Sequence, residues 1–183
     1  MAKLFFASDI HGSARYLSEM LTAFEREGAS RLVLLGDILY HGPRNDLPGG
    51  YAPKEVIALL SPYKDRILAV RGNCDTEVDQ MVLPFPILAD YAVLLWKDRA
   101  LYLSHGHKFG EQNPPPLQKG DCLVCGHTHV PKVAEYENYT YINVGSVSIP
   151  KESSPHSYAV LEEDGAFRFM TLQGEEYNRF VLK

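Results

Sequence analysis

Two regimes of apolar and polar patterning follow one another along the chain. In the first half, short apolar runs alternate with stretches at helical spacing. Residues 3–8 are mostly apolar and close on Asp9-Ile10-His11-Gly12, the pattern of a buried strand that delivers polar groups at its C-terminal end. Leu17, Met20, Leu21 and Phe24 form one stripe of a helix predicted over residues 13–27, with Ser13 placed to cap it and Gly28 to stop it. A second buried strand over 31–35 ends in Gly36-Asp37. A helix over 53–60 carries proline in its first turn, and a third strand over 66–70 ends in Gly72-Asn73-Cys74-Asp75. This succession predicts a parallel sheet with helices on its outside.

The second half is strand-like over residues 91–96, 100–104, 122–125, 132–137, 139–144, 157–162 and 167–172. Turn chemistry such as Lys97-Asp98 and Glu163-Asp164-Gly165 separates several of these runs. It predicts a second, more antiparallel sheet. The expected fold is therefore α/β, a four-layer αββα sandwich of two stacked mixed β-sheets flanked by helices, forming one domain over residues 1–183. Two proline-rich loops, 41–53 and 111–120, reverse the chain. Both follow strands that end in polar motifs, where loops shape access to a site.

Composition narrows the classes. A chain of 183 residues, 45% hydrophobic and 22% charged, has the make-up of a soluble globular protein with a substantial core. Its net charge of -5 argues against an extended nucleic-acid interface, which needs a basic excess. A nucleotide-sized substrate stays open, because metal ions can meet its charge locally. The cysteines are Cys74, Cys122 and Cys125, an odd number that points to a reducing compartment. Cys122-Leu-Val-Cys125 has CxxC spacing, but with apolar residues between and no second copy it reads as two buried strand cysteines acting as small hydrophobes. The N-terminal apolar run is too short for a signal peptide, and no run approaches the ~18 apolar residues of a membrane span. The expected location is the cytoplasm, away from membranes.

The polar residues at the strand ends carry the chemistry. They are Asp9 and His11, Asp37, Asn73, His105 with His107 two residues on, and His127 and His129. Most sit beside glycine, which lets the backbone bend sharply and bring side chains together. Strand ends on one edge of stacked sheets converge on one crevice. Two carboxylates, an amide oxygen and four imidazoles supply donors for two metal ions if one carboxylate bridges them. Oxygen and nitrogen donors without thiolate suit Mn²⁺, with Fe, Zn²⁺, Ni²⁺ or Co²⁺ as alternatives, more than Ca²⁺. Two such ions ~3.5–4 Å apart can activate water and stabilise both oxygens of an in-line phosphoryl displacement.

Asp9-x-His11, Gly36-Asp37, Gly72-Asn73-x-Asp75, His105 and Gly126-His127-x-His129 together resemble the five-block signature of the calcineurin-like metallophosphoesterase superfamily. The short chain, the Gly72-Asn73-Cys74-Asp75 form and the later Asn143-x-Gly145-Ser146 resemble its small bacterial and archaeal phosphodiesterase branch. The resemblance implies that Asp9, His11 and His129 hold one ion, that Asn73, His105 and His127 hold the other, and that Asp37 bridges them. A hydroxide between the ions would attack phosphorus in a small phosphodiester.

One position departs from the wider family, whose larger members carry histidine where this chain has Cys74. A thiol is a poor donor to a leaving group, which disfavours esters with poor leaving groups and predicts a preference for activated aryl diesters. His107 is either a substitute donor or a structural neighbour of the metal ligands, and Asp75 reads as a loop residue bonding its own backbone. Arg44, in the loop 41–53, is the one nearby arginine for substrate phosphate, too little for a phosphomonoesterase. The competing class is a metal-free scaffold of the same fold, resembling the small subunit of the retromer coat; its mark would be missing ligands. Exposed sheet edges leave room for a homo-oligomer.

Overall fold

The computed structural model describes residues 3–182. Strands β1 (Leu4–Ala7), β2 (Arg31–Leu34) and β3 (Ile67–Ala69) run parallel, joined by helices α1 (Ala14–Glu27) and α2 (Pro53–Leu60). Ser13 caps α1 by accepting from the Tyr16 N–H, and Gly28 ends it with φ 62°. A 3₁₀ turn over Ser61–Arg66 leads into β3. A short helix, α3 (Glu77–Val82), follows a reciprocal cap between Thr76 and Asp79 that sequence reading left as loop.

Eight more strands follow: β4 (Tyr91–Trp96), β5 (Arg99–Ser104), β6 (Asp121–Cys125), β7 (Lys132–Glu135), β8 (Tyr139–Asn143), β9 (Ser157–Leu161), β10 (Ala166–Thr171) and β11 (Glu176–Val181). They do not all form the second sheet. That sheet has the order β4-β5-β6-β8-β7, whereas β9, β10 and β11 extend the first sheet as β11-β10-β9-β1-β2-β3. The first sheet is thus mixed, because β9 pairs antiparallel with β1, Phe5 opposite Val160. In the second sheet the pairs β5–β6 and β6–β8 are parallel and the outer pairs antiparallel.

Strand alternation explains why so many of these runs are apolar on both faces. Phe5, Ala7, Leu32, Leu34, Tyr158 and Val160 face α1 and α2. Their neighbours Phe6, Val33, Ala159 and Leu161 pack between the sheets against Leu101, Leu103, Cys122, Val124 and Ile142. Leu123, Cys125 and Tyr141 point to the far side of the second sheet, against Tyr102 and Leu117. Two stacked mixed sheets flanked by few helices result, in the αββα arrangement expected. Cys122 and Cys125 are free, buried and on opposite faces of one strand, which suits the hydrophobe reading.

Candidate metal centre

Five parallel strands, β1, β2, β3, β5 and β6, deliver polar residues from their C-terminal ends to one crevice. Asp9 and His11 follow β1, Asp37 follows β2, Asn73 follows β3, His105 follows β5, and His127 and His129 follow β6. Reaching that crevice requires unusual backbone. Asp9, His11, Asp37, His127 and His129 all adopt positive φ, from 48° to 69°, a region that costs a side-chain-bearing residue on the order of 1 kcal/mol. Glycine at two neighbouring positions makes the approach possible. A Cβ on Gly72 would collide with Asp37, and one on Gly126 with Ser8.

Side chains of all seven candidates meet. Asp9 Oδ1 lies 3.2 Å from His129 Nε2 and 3.5 Å from His11 Nε2, and the two Nε2 atoms are 3.3 Å apart. Asp37 Oδ2 stands between the two halves, 3.7 Å from His11 Nε2 and 3.4 Å from His105 Nε2. His105 Nε2 is 3.0 Å from Asn73 Oδ1 and 3.1 Å from His127 Nδ1. Asp9, His11, Asp37, His105 and His129 are buried, while Asn73 is exposed.

The donor chemistry of this cluster is one-sided. His11 Nδ1–H donates to the Tyr40 carbonyl (2.8 Å), His129 Nδ1–H to Ile149 (2.6 Å), and His105 Nδ1–H to Leu35 (2.7 Å). Each neutral ring therefore turns an Nε2 lone pair inward, onto carboxylate oxygens, an amide oxygen and other imidazoles. Asp9 Oδ1 is buried without a hydrogen-bond donor. Acceptors facing acceptors at these distances need positive charge among them. Without metal that charge is a proton. Burial works against it, but Asp9 and Asp37 outweigh burial and push His105 up to about 9. Burial likewise opposes ionisation of Asp9, yet the charge of His105 and the adjacent His11 and His129 rings hold it well below the carboxylate range. Divalent cations fit the same place, with Asp9, His11 and His129 on one side and Asp9, Asp37 and His105 on the other as compact groups.

Surrounding hydrogen bonds fix the cluster. Asp9 Oδ2 accepts from the His127 N–H (2.9 Å), and its carbonyl accepts from Ser146 and Ser148 hydroxyls (3.0 Å each). Asn143 donates to the Gly126 carbonyl. Asp75 does not merely serve its own loop as the sequence reading had it. Its carboxylate accepts from the Asp37, Ile38 and Gly72 N–H groups at 2.8, 2.9 and 2.7 Å. Burial pushes the Asp75 carboxyl up against the pull of those donors.

A cleft of about 380 Å³ opens over the cluster, lined by His11, Asp37, Asn73, His127 and His129 together with Arg44, Asn45, Thr128 and Lys151. Arg44 is where the sequence reading placed it; Lys151 stands in a polar run and carried no signal. A larger cleft of about 680 Å³, from Leu95 to Asp121, holds none of the seven. Cys74 and His107 lie off the cleft floor. Cys74 is 7% exposed, with its Sγ against Asn73 Nδ2 (3.2 Å) and Gly42, and burial followed by Asp37 pushes its thiol up. His107 packs its ring on His105 and His127 at centroid distances of 5.4 and 6.1 Å. Burial and those two rings push it down to about 4, leaving it neutral near pH 7.

Comparison with known proteins agrees with this layout. The family model of the calcineurin-like phosphoesterase superfamily domain matches residues 2–166. Phosphodiesterase YfcE of Escherichia coli strain K12 is 51% identical over 164 residues, covering 90% of this chain and 89% of that protein. The solved structure of YfcE, a phosphoesterase from E. coli, matches with a TM-score of 0.95 at 46% identity, covering 99% of this chain and 100% of that one. Vacuolar Protein Sorting 29 from Cryptosporidium parvum matches with a TM-score of 0.65 at 16% identity, covering 98% of each chain. That last likeness is one of fold alone.

Proposed function

The chain belongs to the calcineurin-like phosphoesterase superfamily, and on that premise we propose that it is a metal-dependent hydrolase of small phosphate diesters. The observation that carries the proposal is the inward convergence of lone pairs, with Asp9 Oδ1 buried and undonated. Its 51% identity to phosphodiesterase YfcE supports the diester as substrate.

In this reading Asp9, His11 and His129 would hold one cation, Asn73, His105 and His127 would hold a second, and Asp37 would be shared by both. Two divalent cations bound there would supply Lewis acidity, lowering the pKa of a water and drawing charge from the phosphoryl oxygens. Oxygen and nitrogen donors favour Mn²⁺, and burial pushes the Cys74 thiol up, away from the thiolate form. The chain's own groups do the positioning. Nδ1–H bonds to Tyr40, Leu35 and Ile149 fix three ring orientations. Asp75 fixes the loop of Asp37. Arg44 and Lys151 line the cleft over the cluster.

A metal-free scaffold of the same fold is disfavoured because every ligand position carries a competent donor. Stripping the protein with chelator is expected to abolish hydrolysis of bis(p-nitrophenyl) phosphate, with Mn²⁺ restoring it best. Full activity in protein shown by elemental analysis to be metal-free would overturn the proposal.

A further inference from the structure

Eight described residues other than glycine have positive φ, and five are the cluster residues above. Of the remaining three, Lys97 sits in the turn between β4 and β5, and the other two are Glu152 (52°) and Ser153 (59°). These two directly follow Lys151. Such backbone persists only where the surroundings hold it. Here the hold comes from the site: the Lys151 N–H donates to the His129 carbonyl (3.2 Å), and Ser154 Oγ donates to His129 (3.3 Å) and Lys151 (2.6 Å) carbonyls. The strained turn thus fixes Lys151 to the backbone of a cluster residue, at the rim of the cleft.

Arg44, which lines the same cleft, is presented by a second tight turn. The Asn45 N–H donates to the Gly42 carbonyl (3.4 Å), Asn45 Nδ2 to His41 (2.8 Å), and Gly42 has φ 81°. Among the described residues neither Arg44 nor Lys151 has an ion-pair partner, although the chain as a whole is acidic at -5. Charge counting gives this pair a meaning. Two divalent cations against Asp9, Asp37 and the attacking hydroxide would leave the centre at +1, which the single negative charge of a simple diester already meets. Two further cationic side chains over the same cleft are surplus to such a substrate. Arginine, with its bidentate fork, and lysine, as a point charge, are the common side chains for holding phosphoryl groups.

We propose that Arg44 and Lys151 form a specificity subsite for a second phosphoryl group, so that the preferred substrate is a phosphate diester bearing an additional phosphate. This rests on the diesterase reading above. The test compares thymidine 5′-(p-nitrophenyl phosphate) with its 3′-phosphorylated counterpart, which share a leaving group and differ by one phosphate. The Mn²⁺-loaded native protein is expected to favour the 3′-phosphorylated diester by about tenfold in kcat/KM, carried in KM and shrinking with added salt. Arg44→Ala and Lys151→Ala should each reduce that ratio, and Lys151→Arg should restore most of it. Equal kcat/KM for the two diesters in the native protein, or a preference that survives both alanine variants, would overturn the subsite. Calorimetry of thymidine 3′,5′-bisphosphate against thymidine 5′-monophosphate reads the same contact without turnover. If neither diester is hydrolysed, tighter bisphosphate binding that Lys151→Ala abolishes upholds the subsite while the diesterase reading falls; equal binding overturns the subsite.

Discussion

The carboxylate of Asp75 accepts the backbone N–H of Asp37 at 2.8 Å, tying the loop after β3 to the loop after β2. The same carboxylate takes the N–H groups of Ile38 and Gly72, so three buried donors depend on one side chain. Asp75→Ala would leave all three without an acceptor, at about 1–3 kcal/mol for each that finds no water. The expected result is a loss of at least 2 kcal/mol in denaturant unfolding, roughly the lower bound for two orphaned donors. Asp75→Asn retains one carbonyl oxygen and should lose less. An unchanged unfolding midpoint in Asp75→Ala would show that the loops do not need this tie.

Asp37 and Asn73 both lie against His105, but only Asp37 also reaches His11. A neutral amide at position 37 cannot offset two dications at short range, whereas losing the exposed Asn73 removes one neutral donor. Asp37→Asn is therefore expected to lower kcat/KM on an aryl diester by about a hundredfold or more, and Asn73→Ala by roughly tenfold. Metal content measured beside the kinetics completes the test. Equal, modest losses with two metals retained in both variants would mean that Asp37 is not the bridge.

Most of this site was legible because its residues follow apolar strands and neighbour glycines, as in Gly36-Asp37 and Gly126-His127. The left-handed backbone at Asp9 or His129 was not legible, since nothing local distinguishes it from an ordinary turn. Strand β11 was missed for a related reason. Its residues are exposed almost throughout, so it carries no alternation to detect. Assigning β9 and β10 to the second sheet failed because a run buried on both faces names no partner; only β1, left open on one side by β2 and β3, decides the pairing. Lys151 escaped because a lone lysine in a polar run looks solvated until the turn behind it is seen.

Far from the cleft, Arg168 joins Glu176 (2.8 Å), Glu162 (2.9 Å) and Glu27 (3.1 Å), and Arg179 joins Glu176 (2.8 Å). The Arg179 and Arg168 hydrogen bonds hold Glu176 down to about 2, against an ordinary 4.5. A depressed carboxylate contributes stability that is fully present above its unfolded pKa and fades as pH falls through the folded one. Solvent screens this partly exposed pair, so Glu176→Gln should cost under about 1 kcal/mol at pH 7. The gap between native and variant should hold down to about pH 4.5 and close toward pH 2. Thermal unfolding across that window checks it; a gap that persists unchanged at pH 2 would assign the effect to packing.

Cys74 is where this chain departs from the larger members of its superfamily, and its surroundings decide what a histidine there would do. A leaving group such as a ribose hydroxyl needs a proton donor in the transition state, worth ~10²–10⁴-fold, so an imidazole at 74 aimed into the cleft would narrow any preference for aryl diesters. The Cys74 thiol lies beside the cluster, close enough to group with His11 and Asp37, but it does not line the cleft. Its Sγ abuts Gly42 and Asn73, and the side chain borders a separate hollow beside Leu39, Tyr40 and Tyr51. A Cβ on Gly42 would stand only 3.0 Å from that sulfur, so the thiol packs closely under the turn that carries Arg44, and an imidazole at 74 crowds that turn. Cys74→His is therefore expected to slow aryl and ribose cyclic diesters in proportion. Cys74→Ala, which leaves the turn in place and opens a small void, should cost about 1 kcal/mol of stability and little rate. Kinetics on both substrates for the three proteins settle it. A selective gain on the ribose diester in Cys74→His would mean that the imidazole reaches the leaving group after all, and that Cys74 marks a missing acid rather than packing under the turn of Arg44.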